Sequence, residues 1–188
     1  MNNYRIKSRC DLYEWFSADD KARNAQGRFG FKAWLTEPIR RYQRLLRKRE
    51  YLINTKPNHG FWRLIRIWNS FWLTRLGIRL GFDIPPNCFG PGLYITHAGT
   101  IVVNPKTRVG KNCVLNVCVN IGHDDQGEAP TIGDNCFIAP GVKMFGGIVI
   151  GDNVKIGANA VVNKSFPEGN CTLVGVPAHK VDGRERAG

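Results

Sequence analysis

The sequence predicts an all-β parallel β-helix built on a six-residue repeat, preceded by an N-terminal α-helical region. From Val103 onward an aliphatic residue or methionine recurs every six positions, whereas the first 80 residues show three-to-four spacing. Most of the 21 glycines and 10 prolines fall after residue 80, so the two halves are built differently. The chain divides accordingly into helical residues 1–80, repeats 81–175 and a tail 176–188.

In the helical region Thr36-Glu37-Pro38 reads as a helix start, with Thr36 as cap and Pro38 at the first helical position. Ile39, Tyr42, Leu45, Leu46, Leu52 and Ile53 then mark one stripe, with Arg40, Arg41, Arg44, Arg47, Lys48 and Arg49 on the remaining surface. A second helix carries Phe61, Ile65, Trp68, Trp72 and Leu76, and Leu64, Ile67 and Phe71 widen its apolar surface beyond one face. That width calls for a second partner. A neighbouring subunit is expected, with peripheral association at a membrane interface as the other possibility.

In the repeats the first inward position is held by Val103, Val109, Leu115 and Ile121, then Ile132, Ile138, Met144, Ile150, Ile156 and Val162. A second inward position, four residues on, holds small or aliphatic residues such as Thr107, Cys113, Cys136 and Val154. The residue after each first position is mostly small or polar (Gly110, Asn116, Gly133, Gly151), which suggests a corner where positive φ is cheap. Cys88, Cys113 and Cys136 therefore read as small core residues. None of the six cysteines forms a CxxC pair, so no metal is expected.

Met1 to Phe16 is polar and broken by charges, unlike a signal peptide, and no apolar run approaches the roughly 20 residues that span a bilayer. A cytoplasmic protein with reduced cysteines is expected. The formal net charge of +12 admits nucleic acid, an anionic membrane or a polyanionic small molecule as partner. No helix-turn-helix, zinc-finger or aromatic RNA-binding signature is present, so a phosphate-bearing cofactor fits better than nucleic acid.

The strings "GPGLYITHAGTIVV" (90–103), "FDIPP" (82–86), "FGGIVIGDNVKIGANAVVNKS" (145–165) and "VGVPAHKV" (174–181) resemble the catalytic domain of serine acetyltransferases and their polysaccharide-locus relatives. The resemblance implies a left-handed β-helix of hexapeptide repeats, a homotrimer with active sites between subunits, and acetyl-CoA as co-substrate without a metal. It puts the catalytic base on His97 and the carboxylate that orients it on Asp83, one residue closer to His97 than the family's spacing. His123 shares the hexad place of His97 and opens the one break in the register, "HDDQGEAPT" (123–131), a loop leaving the β-helix that, the resemblance implies, reaches a neighbouring active site. Gly122 is the candidate oxyanion donor. The resemblance also implies that Gly141, Ala158 and Asn159 let the pantetheine arm approach, and that Lys164 and Lys180, with Lys143 and Lys155, meet the phosphates of CoA.

The chemistry suits these residues. A hydroxyl is too weak an acid to attack a thioester near neutral pH, and a neutral imidazole can remove its proton during attack. A carboxylate on the other ring nitrogen fixes the tautomer, and a backbone N–H holds the oxyanion. The loop lacks the family's arginine and late histidine, Thr96 stands where an acidic residue usually precedes the base, and the helical part is short. These departures favour a saccharide hydroxyl of surface polysaccharide as acceptor, with L-serine as the alternative. Two other functions suit these residues less well. A zinc carbonic anhydrase needs three convergent histidines, and the repeats offer His97 and His123 alone. A non-catalytic scaffold would not need a histidine in the catalytic string.

Overall fold

A computed structural model describes residues 4–25 and 29–181. Four helices come first: α1 (Arg9–Ala22), α2 (Phe31–Thr36), α3 (Pro38–Thr55) and α4 (Gly60–Leu80). α1 begins with a capping box in which the Ser8 side chain and the Asp11 backbone and carboxylate satisfy each other's free groups. Pro38 opens α3 as the sequence suggests, but Thr36 does not cap it. Thr36 is the last residue of α2, and its hydroxyl donates to the Lys32 carbonyl at 2.9 Å. The short α2 takes up the residue that would otherwise be free to cap.

Among the arginines of α3, Arg40 and Arg47 leave the expected surface and are 2% and 0% exposed. The cause is α1, which presents two acids in succession. Asp20 pairs with Arg40 and Arg44, and Asp19 pairs with Arg47 at 2.9 Å. Arg47 also donates to Glu50 (3.0 Å) and to the carbonyls of Phe89 (2.8 Å) and Gly90 (2.7 Å). Asp19 in turn accepts from the backbone N–H groups of Gly92 and Leu93, each at 2.9 Å. One buried cluster therefore ties α1, α3 and the first coil of the strand region together.

α4 ends at Gly81, whose φ of +81° is the left-handed turn that closes a helix. Strands follow at once: β1 (Phe82–Asp83), β2 (Tyr94–Ile95), β3 (Ile101–Val103), β4 (Arg108–Val109), β5 (Val114–Leu115), β6 (Val119–Gly122) and β7 (Thr131–Ile132). They continue as β8 (Phe137–Ile138), β9 (Lys143–Phe145), β10 (Val149–Ile150), β11 (Lys155–Ile156), β12 (Val161–Val162), β13 (Thr172–Val174) and β14 (His179–Val181). Every third strand from β2 to β12 joins the same sheet. Sheet A runs β1-β3-β6-β9-β12, sheet B runs β4-β7-β10, and sheet C runs β2-β5-β8-β11-β13 with β14 antiparallel at its end. The other pairings are parallel, so the chain winds as a three-sided coil.

All ten first inward positions are buried, as are Thr107, Cys113, Val119, Cys136, Val142, Ile148, Val154 and Ala160 at the second. Burial pushes the thiols up, to about 12 for Cys88 and about 11 for Cys136, which keeps them protonated. The corner glycines differ from expectation. Gly110, Gly133 and Gly151 do not have positive φ, which instead falls further on, at Asn112, Asn135, Asn153 and Asn170. Gly110 and Gly133 are small because successive coils touch there: a Cβ on either would come within 2.7 Å of the next coil's backbone. The four asparagines tolerate the left-handed turn and bond to one another as a ladder, at 2.9, 3.0 and 2.9 Å.

Thr107 is fully buried, and its hydroxyl has no partner among the described residues. Thr107→Val keeps the shape and removes the stranded group. It is expected to stabilise the fold by about 1 kcal/mol, read as a higher urea midpoint. A lower midpoint would mean that the hydroxyl is satisfied.

Candidate functional site

The corner from sheet C into sheet A is where several predicted residues gather. Ile95, Leu115, Ile138 and Ile156 stack in register at its start, and Ile101 pairs with Val119 at its end. Between these fixed points the upper corners have three residues: 116–118, 139–141 and 157–159. The first corner has five, 96–100, and His97 lies within it. The extra length sets this turn apart from the corners stacked on it. Its base is pinned by Thr96, whose hydroxyl donates to Asn116 Oδ1 at 2.8 Å, while Asn116 Nδ2 donates to the Ile138 carbonyl at 2.9 Å. His97 itself is exposed, and among the described residues its ring makes no hydrogen bond.

The column stacked on that turn contains Gly141, Ala158 and Asn159. Gly141 (φ +80°) and Asn159 (φ +59°) both take the left-handed turn, and a Cβ on Gly141 would overlap Asn159 Oδ1. The absent side chain of Gly141 makes room for the Asn159 amide, and Ala158 and Asn159 are exposed on this corner. Lys143 crosses this region, its ammonium donating to the Cys118 carbonyl at 2.6 Å. On the adjoining sheet C, Lys155 and Lys180 line a groove of about 460 Å³ with Asn153 and Asn170. Two cations there suit a phosphorylated ligand. Lys164 is elsewhere. It follows β12 at the far edge of sheet A, with its ammonium 5.5 Å from the Phe166 ring centroid.

Asp83 is exposed at the end of β1, level with Val102 of β3, one strand removed from the His97 turn. No hydrogen bond joins Asp83 to His97 among the described residues. Gly122 and His123 lie where β6 leaves sheet A, so they occupy the edge opposite His97. The Phe145 ring covers Gly122: a Cβ there would sit 2.7 Å from it. One chain by itself therefore brings His97, Gly141, Ala158 and Asn159 onto one corner and leaves Gly122 and His123 apart from them.

The break after His123 is not an extended excursion. Asp124 gathers it into a tight turn, its carboxylate accepting from the N–H groups of Gln126 (3.0 Å) and Glu128 (2.9 Å). The Asp124 N–H donates to the Glu128 carbonyl at 3.0 Å, and Lys106 donates to the Gly127 carbonyl at 2.7 Å. The backbone N–H groups of Glu128, Gly147 and Gln126 hold the Asp124 carboxyl below the usual range. His123 Nδ1 lies 2.6 Å from the Asp124 carbonyl, which fixes the ring at the mouth of this turn. Sequence reasoning singled out the histidine and missed Asp124, although an aspartate followed by a glycine three residues on is a turn signal.

A family model described as "Bacterial transferase hexapeptide (six repeats)" matches residues 129–164. The serine acetyltransferase of Staphylococcus xylosus is 41% identical over 110 residues, covering 55% of this chain and 50% of that protein. The chain spans about half the length of the curated relatives it matches. Among solved structures, serine acetyltransferase from Brucella abortus superposes with a TM-score of 0.72 at 23% identity, covering 92% of this chain and 69% of that one. The Neisseria gonorrhoeae serine acetyltransferase, solved in complex with serine, superposes with a TM-score of 0.68 at 26% identity, over 93% and 71% of the two chains.

Proposed function

We propose that this chain, a hexapeptide-repeat protein similar to serine acetyltransferases, is an acetyl-CoA-dependent O-acetyltransferase that acts on L-serine through His97. The observation that carries this reading is the shared corner, where the histidine sits at the foot of a column of small residues. The β-helix is taken as left-handed, with residues 1–80 as a helical region, 81–175 as the catalytic unit and 176–188 as a tail.

In this mechanism neutral His97 accepts the hydroxyl proton as the oxygen attacks the thioester carbonyl. A C–O bond forms, the tetrahedral intermediate collapses, the C–S bond breaks, and the imidazolium returns a proton to the departing thiolate. Asp83 orients the ring from its other nitrogen. The oxyanion donor and second histidine come from Gly122 and His123 of the partner subunit in a homotrimer, because one chain holds them at the end of β6, across sheet A from the His97 corner. Gly141, Ala158 and Asn159 flank the pantetheine arm. Lys180, with Lys155, meets CoA phosphates, whereas Lys164 lies apart from that groove, after β12. The names of the relatives and the serine-bound neighbour favour serine over the saccharide hydroxyl expected from the loop sequence.

Thiol release from acetyl-CoA, followed with L-serine and with a panel of nucleotide sugars and oligosaccharides, tests the reading. Release that depends on L-serine is the expected result. Release with a saccharide alone would overturn the acceptor and keep the chemistry. No acceptor-dependent release would leave a scaffold.

A further inference from the structure

Helix α4 is apolar on two opposite faces. Asn69, Leu73, Leu76, Gly77 and Leu80 are buried against the rest of the molecule. Away from them, Leu64, Ile67, Trp68, Phe71, Trp72 and Ile78 are between 42% and 78% exposed. At 3.6 residues per turn these six fall within an arc of about 140°. Trp34 of α2 joins Trp68 and Trp72 along a groove of about 380 Å³, which extends the patch beyond one helix. Arg63, Arg75 and Arg79 are exposed on or beside the same arc and make no ion pair among the described residues.

Charge decides what covers this face. Eighteen of the 27 basic residues and six of the 15 acidic ones precede position 81, so residues 1–80 carry the whole net charge of +12. The remaining 108 residues balance nine against nine. The positive charge thus belongs to the helices, not to the β-helix that would hold a nucleotide cofactor. α4 has four arginines and no acid. The six acids of residues 1–80 are engaged elsewhere: Asp19 and Glu50 with Arg47, Asp20 with Arg40 and Arg44, Glu37 with Arg40, Asp11 in the cap of α1 and Glu14 with the Cys10 thiol. Two copies packed face to face would set arginines against arginines. Phosphates alone would leave six large apolar side chains in water.

We propose that the exposed face of α4, continued by Trp34, docks on an anionic lipid bilayer. No helix among the described residues is long and apolar enough to cross a membrane, so the helix lies along the surface. The indole rings enter the headgroup boundary and the arginines meet lipid phosphates. This inference concerns the helices alone and does not rest on the proposed activity.

The test is co-sedimentation of the full chain with vesicles of phosphatidylcholine, with and without phosphatidylglycerol, at low and high salt. Binding to the anionic vesicles with a blue shift of tryptophan emission is expected, weakened by salt. Each arginine at the surface contributes about fivefold, so Arg75→Gln with Arg79→Gln should weaken binding by about 25-fold. Trp68→Ser with Trp72→Ser should remove the blue shift while circular dichroism stays unchanged. Failure to bind anionic vesicles overturns the proposal. If the same tryptophan variant instead lowers the mass seen by light scattering, the face is an interface between copies of this chain.

Discussion

His97→Ala is expected to lower kcat for acetyl transfer by about 10²- to 10⁴-fold, the usual contribution of a positioned general base. Without the imidazole the attacking hydroxyl must lose its proton to water, which is neither held in place nor basic enough to compete. The KM for acetyl-CoA should stay within a few-fold, because the small-residue column of Gly141, Ala158 and Asn159 is untouched by the change. His97 is exposed on a five-residue turn, so the variant should unfold at the wild-type temperature. Steady-state thiol release across acetyl-CoA concentrations, with a thermal melt alongside, reads all three quantities. Undiminished kcat would remove His97 from the chemistry.

The second large effect concerns stability. Arg47→Met is expected to destabilise the fold by about 3–5 kcal/mol, the range for breaking a buried ion pair by removing one partner. That is a large part of the roughly 5–15 kcal/mol that holds a domain of this size together. Burial by itself would lower the Arg47 pKa, but Asp19 and Glu50 more than offset it and the guanidinium is held firmly charged. Burial pushes the Glu50 carboxyl up, against the pull of Arg47. With the arginine gone, the folded-state pKa of Glu50 rises further above its unfolded value. The folded form then binds the proton more tightly, so the variant regains stability as pH falls through that raised value. The deficit should therefore be smaller at about pH 5 than at about pH 7.5, measured by urea unfolding of both proteins. Arg75→Ala, on the exposed arc of α4, should change stability by no more than about 0.5 kcal/mol. A deficit for Arg47→Met that does not shrink at the lower pH would count against an uncompensated carboxylate as its cause.

Much of this was legible in the sequence because the repeat has a strict period. A residue that must enter a narrow core once per side shows itself every sixth position, and all ten such positions are buried. The cysteines at the small inward places could be read as core for the same reason. α1 and α2 carry no comparable signal: α1 buries only Leu12, Trp15, Phe16 and Asp19 of its 14 residues. Their absence from the sequence reading also cost the partners of Arg40 and Arg47, since Asp19 and Asp20 lie 28 and 20 residues from those arginines. Long-range ion pairs leave no periodic trace.

The candidate site divides along the same line. The sequence by itself determined the coiled strand architecture, its inward residues, and His97 as the residue worth testing, because spacing and local strings are properties of consecutive positions. Only the tertiary structure decided that the His97 corner is two residues longer than those stacked on it, and that Gly141, Ala158 and Asn159 share its column while Gly122 and His123 do not. It also decided that Gly110 and Gly133 are small to let neighbouring coils touch, with the left-handed turn at that corner left to the asparagines. These facts depend on how one coil registers on the next, and register is set by contacts between residues some 18 to 23 positions apart.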